Sequence, residues 1–175
     1  MKTKFIIYLT ILQISLGFVG CSNDDEPNEI EAPASNNEAI LYKFDNQTFT
    51  HKLNLQLSVS DKAEDSLNLL DRLTLVYFNS TLEESEIWYF ASGEGSDNKY
   101  RINWSLGQNE ADVNTYDFEI VTLKIGSDEP YETSVSYRQI KVISVEFSAI
   151  RKLTPQDLNI RDYHEVVKYF GLKDN

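Results

Sequence analysis

The chain reads as an all-β domain, an antiparallel β-sandwich or partly closed barrel of about seven or eight strands, finished by a short C-terminal α-helix. Three observations lead there. Strict apolar–polar alternation runs through residues 48–60, and further alternating or densely apolar segments recur along the chain between polar or Gly-bearing breaks. Only near the C-terminus does the apolar spacing lengthen, with Tyr163, Val166, Val167 and Phe170 at helical intervals. Short strands at this spacing, with a helix only at the end, are the pattern of two packed sheets or one curled sheet.

Each element has its own reason. Residues 40–44 form a first strand, and Asp45-Asn46-Gln47 supplies a polar hairpin turn into residues 48–60. There Phe49, His51, Leu53, Leu55, Leu57 and Val59 share one face, and Thr50, Lys52, Asn54, Gln56, Ser58 and Ser60 the other. One face is therefore buried and one wet. A polar break at 61–66 precedes residues 67–79, whose first half reads as a strand or a helical turn and whose second half is a well-buried strand. Residues 86–92 form a further strand before the loop Gly93-Glu94-Gly95-Ser96-Asp97-Asn98. Residues 99–106 then alternate, with Tyr100, Ile102, Trp104 and Leu106 on the core side. Residues 115–125 change phase near Ile120 and Val121, which predicts a bulge. Residues 133–150 change phase too, as two strands or one bent strand. Thr154-Pro155-Gln156-Asp157 resembles a helix start and Gly171 a helix stop. The resulting amphipathic helix is expected across an open end or a face of the sheet.

The N-terminus is of another kind. Lys2 and Lys4 precede an apolar run that ends at Cys21, the one cysteine of the chain. This is a signal peptide, too short and too polar in its middle to span a bilayer. Phe18-Val19-Gly20-Cys21 resembles the bacterial lipobox, with Phe18 where Leu is usual. Ser22-Asn23-Asp24-Asp25-Glu26 resembles the acidic export signal of Bacteroidota surface lipoproteins. The resemblance covers the first thirty or so residues. It implies cleavage before Cys21, a palmitate-bearing lipidated cysteine, and an outer-membrane protein facing the cell surface. Each buried methylene contributes about 0.8 kcal/mol, so two or three acyl chains hold stably where one does not. No disulfide is then available.

Domain organisation follows: residues 1–20 are the signal peptide, 21–38 an acylated acidic tether, and 39–175 a single β-rich domain with its helix. The tether holds too little apolar surface to offset its ordering entropy. Loss of residues 1–20 removes Lys2 and Lys4 from 16 basic residues and none of the 28 acidic ones, taking the net charge from −12 to −14. Such a field repels nucleic acid. The expected partners are the membrane, through the lipid anchor, and a glycan or an envelope protein.

No catalytic motif is expected. His51 reads as a core histidine bonded to a backbone carbonyl and His164 as a solvated helix residue. Asp117 and Glu119, two apart on one strand, are the only carboxylate pair a hydrolase could use. Glu94, Asp97 and Asn98 carry oxygen ligands of the kind calcium takes, but at no EF-hand spacing, so no metal or cofactor is assigned. Among ten Tyr, nine Phe and two Trp, Trp88 and Tyr131 are the candidate ligand contacts, because aromatic faces stack on sugar rings. Asp65-Ser66-Leu67 resembles the Bacteroidota O-glycosylation acceptor, which implies a glycan on Ser66. The sequence thus reads as an envelope lipoprotein with a non-catalytic binding domain. The alternatives are a glycan-binding accessory lipoprotein of a polysaccharide uptake system, an adhesin or assembly subunit, and a hydrolase.

Overall fold

The computed structural model describes residues 34–36, 38–59, 67–91, 98–151 and 158–174. Cys21, the acidic run Ser22 to Glu26, Ser66, Glu94, Asp97 and the Thr154-Pro155 segment lie outside them. Two antiparallel sheets pack face to face as a sandwich, not a closed barrel. The larger has strands β1 (Ala34–Asn36), β2 (Ala39–Thr50), β8 (Ser134–Glu146), β4 (Arg72–Ser80) and β5 (Tyr89–Phe90), in that order. The smaller has β3 (Lys52–Ser58), β7 (Thr115–Lys124) and β6 (Tyr100–Gln108). A short α1 (Phe147–Ile150) and the C-terminal α2 (Tyr163–Tyr169) complete the described elements.

The sheets separate at one residue. β2 pairs with β8 in an unbroken register from Ala39↔Val145 to Thr50↔Ser134. Asp45-Asn46-Gln47 is therefore no hairpin turn; Asn46 sits inside the strand at φ 52°. The corner is His51, at φ 64°, where β2 leaves the larger sheet and β3 enters the smaller. Left-handed backbone costs a non-Gly residue roughly 1–2 kcal/mol. Bonds across the corner offset that cost: the Thr122 N–H donates to the His51 carbonyl at 2.8 Å, and His51 Nδ1 lies 3.0 Å from the Thr122 carbonyl. The predicted carbonyl partner of His51 is present, on a half-buried ring at the corner. Alternation survives the corner, so residues 48–60 look like one strand in the sequence.

Other boundaries shift for identifiable reasons. The bulge expected near Ile120 is absent, since β7 keeps one register with both neighbours. Thr122, fully buried, takes the next inward position after Tyr116, Phe118 and Ile120, so a polar residue interrupted the apolar phase. The bend in β8 is real: Gln139 faces Asn79 but Tyr137 faces Ser80, leaving Arg138 as the extra residue of a bulge. Residues 67–79 contain both expected forms, a 3₁₀ turn at Leu69–Asp71 and then β4. The strand expected at 86–92 shrinks to Tyr89–Phe90. The Nδ2 of Asn79, buried in β4, lies within bonding distance of the carbonyls of Glu84, Ser85 and Ile87, giving those three a side-chain partner in place of a ladder. Paired structure starts inside the stretch read as tether, because Ala34–Asn36 pairs with Ala39, Ile40 and Leu41.

Two apolar layers hold the fold. Phe44, Leu57, Phe78, Phe118, Tyr137 and their neighbours fill the space between the sheets. A second layer lies on the outer face of the larger sheet, where Leu41, Leu75, Tyr77, Ile143 and Val145 meet Tyr163, Val166, Phe170 and Leu172. β8 is covered on both faces, which explains the unbroken burial of residues 140–145. Asp162 caps α2, its Oδ1 accepting from the backbone N–H of His164 and Glu165. Gly171, at φ 59°, ends it; Leu172 N–H bonds to the Val167 carbonyl and Gly171 N–H to that of Lys168. That is a Schellman stop, where a Cβ would be strained.

Candidate functional site

The two candidate ligand contacts lie in unlike surroundings. Trp88 is half-buried on the outer face of the larger sheet and stacks on Tyr163 with centroids 4.4 Å apart. The Lys141 ammonium lies 4.4 Å from the Trp88 ring and 4.6 Å from that of Tyr163. Lys141 pairs with Asp174 at 2.5 Å, and the Tyr163 hydroxyl donates to the other Asp174 oxygen at 2.5 Å. Burial lowers the Lys141 pKa, opposed by its bond to Asp174. Burial pushes the Asp174 carboxyl up, but bonds from Lys141 and Tyr163 outweigh it and hold the group below its ordinary value. Trp88 is thus part of a closed structural cluster. A lone lysine within the apolar run of β8 was the sequence signal for it.

Tyr131 instead lines the surface at one end of the sandwich. Its ring stacks on Tyr100 with centroids 5.1 Å apart and planes 29° from parallel. The Tyr100 hydroxyl lies 2.9 Å from that of buried Tyr137, which packs edge-on to Phe78. An aromatic column therefore runs from the core to Tyr131, fixing its ring. Around it lie two adjoining depressions of about 630 and 250 Å³, both lined by Lys99, Tyr131 and Thr133. The smaller adds Ser80, Thr81 and Ser134; the larger adds Lys124, Glu129 and Glu132. Lys124 and Glu129 pair at 2.7 Å, which raises the Lys124 pKa and lowers that of Glu129.

Topology assembles this cleft from distant sequence. β4 and β7 end there, while β6 and β8 begin there. β2 starts at the opposite end, about 36 Å away for a strand of its 12 residues. Of the cleft residues the sequence pointed only to Tyr131. Lys99, Thr133 and Ser134 flank loops, and nothing in their spacing marks them.

The other candidates do not converge. Asp117 and Glu119 share the wet face of β7, but each has its own partner: Asn109 Nδ2 donates to both Asp117 oxygens at 3.0 and 3.1 Å, and Lys52 pairs with Glu119. His51 is at the corner and His164 on the exposed side of α2. Among the described residues no group of three His, Cys, Asp or Glu could hold a metal ion, and no helix is long and apolar enough to cross a membrane. Asn98 takes φ 54° where its loop meets β6. In comparisons with known proteins, no family model, curated protein or solved structure matches this chain.

Proposed function

We propose that the chain is an outer-membrane lipoprotein, acylated at Cys21 and facing outward, whose sandwich binds a ligand without transforming it. The carrying observation is the order of its N-terminal segments: a basic start, an apolar run, Phe18-Val19-Gly20-Cys21, the acidic Ser22 to Glu26 stretch, then a weakly apolar tether. The position of the cleft supports a display role, since it lies at the end of the sandwich away from the start of β2. Held from its N-terminal side, the domain presents that end outward.

Metabolic palmitate labelling with cell fractionation tests the anchor. Wild-type protein takes label and sediments with outer membranes, whereas Cys21→Ala loses the label and stays unprocessed or leaves that fraction. A processed Cys21→Ala protein still held in the outer membrane overturns the anchor. Replacing Asp24, Asp25 and Glu26 by Ala is expected to protect the protein from protease added to intact cells.

An assembly role is the second reading, and one observation favours it. β6, nine residues long, is an edge strand paired on one side only among the described residues. Such an edge accepts a partner strand. Capture from intact cells of an envelope protein crosslinked to β6 would favour this role.

A further inference from the structure

We infer that the cleft around Tyr131 is a saccharide subsite, in which the C–H face of a pyranose ring lies on Tyr131 and the sugar hydroxyls bond to the Ser, Thr and Lys side chains around it. The inference rests on the binding-domain reading above and names its ligand class. Three features carry it.

The platform is rigid before any ligand arrives. Tyr131 is backed by Tyr100, which meets buried Tyr137 through paired hydroxyls 2.9 Å apart. Binding therefore orders little that was loose, and loss of side-chain freedom is a main cost of association. The space also fits. The larger depression, about 630 Å³ and open to solvent on one side, has room for a sugar ring laid on Tyr131. The smaller continues it past the same tyrosine, so a second sugar unit has a place.

The rim chemistry selects among ligands. Exposed Thr133 and Ser134 carry hydroxyls that both donate and accept, the Thr81 hydroxyl, which already donates to the Ser136 carbonyl at 3.2 Å, can still accept, and the Lys99 ammonium donates. A polyol presents mixed donors and acceptors of the same kind. An acyl chain would find Leu82 but would also cover the Thr133 and Ser134 hydroxyls and the Lys99 ammonium without bonding them. A phosphorylated ligand would find the Lys124 ammonium already paired with Glu129, and Glu132 beside it, in a chain of net charge −12. A sugar ring uses the aromatic face and the hydroxyls together.

The test is a glycan array probed with the detergent-solubilised full-length protein, followed by calorimetry on the best hit for wild type, Tyr131→Phe, Tyr131→Ala and Thr133→Arg. Thr133→Arg fills the cleft from an exposed position, and thermal melts confirm that each variant folds. The expected result is saccharide binding kept by Tyr131→Phe, weakened about two- to tenfold by Tyr131→Ala, the scale of a lost aromatic stack, and weakened at least as much by Thr133→Arg, which blocks the cleft. Saccharide binding unchanged in both Tyr131→Ala and Thr133→Arg overturns the site while leaving the binding-domain reading intact. A wild type that binds no saccharide overturns the ligand class. Release of shortened product from the bound saccharide overturns the non-catalytic reading itself.

Discussion

Trp88 and Tyr131 are candidates of the same kind in the sequence, aromatic side chains on which a sugar ring could stack, yet they have opposite fates. Trp88 stacks on Tyr163 with the Lys141 ammonium against both rings, whereas Tyr131 has one face on Tyr100 and lines an open cleft. The difference is what returns over each ring. Residues 158–174 come back across the larger sheet and pack on the first ring; among the described residues no element covers the second. A candidate aromatic is a ligand platform only if no later part of the chain covers it.

The largest effect should come from opening the sealed cluster. Asp174→Ala leaves the Lys141 ammonium, 3% exposed, buried without its counter-ion. Removing one partner of a fully buried pair costs about 3–5 kcal/mol; with Asp174 25% exposed the loss should fall below that range and still show as a lower urea midpoint. The double replacement Lys141→Met with Asp174→Leu should recover most of that loss, because an apolar pair of similar volume needs no desolvation. Recovery would assign the cluster to stability. A double variant as weak as Asp174→Ala would mean that the lysine's contacts with Trp88 and Tyr163, rather than its charge pairing, hold the segment.

Acid tests the same cluster without mutation. Asp174 has a folded-state pKa below its unfolded value, so its contribution is fully present above the unfolded carboxylate range and disappears as pH falls through the folded value. The stability gap between wild type and Asp174→Asn should therefore be wide at neutral pH and shrink in acid. Urea melts across that range read it directly; a gap independent of pH would break the account.

Smaller effects sharpen the contrast. Asp162→Ala removes the carboxylate that caps α2 at two backbone N–H groups and should cost about 1 kcal/mol. Tyr131→Ala should cost about as little, since it removes one half-buried stacking partner, measured by thermal melts. A loss of several kcal/mol there would make Tyr131 a core residue and remove the contrast with Trp88.

Much of the architecture was legible because it follows from local rules. Period-two alternation marked residues 48–60 and 99–106 as strands, and helical spacing with Gly171 as a stop marked α2. The errors occurred where one residue type served two geometries. Asn46 looked like a turn but tolerates left-handed backbone inside β2. His51 looked like an ordinary strand position but forms the corner, because alternation records which face is buried and not which sheet the strand joins. Thr122 imitated a bulge because a buried hydroxyl interrupts an apolar pattern without interrupting a register.

The sequence by itself determined the strand-rich class, the terminal helix and the candidacy of Tyr131, since side-chain period and aromatic chemistry are properties of neighbouring residues. Only the tertiary structure decided that Lys99, Tyr131, Thr133 and Ser80 share a cleft, and that Trp88 is closed off by Tyr163 and Lys141. Those juxtapositions arise from which strand ends the two sheets bring together and from the path of residues 158–174. Both are set by long-range burial, which no local pattern encodes.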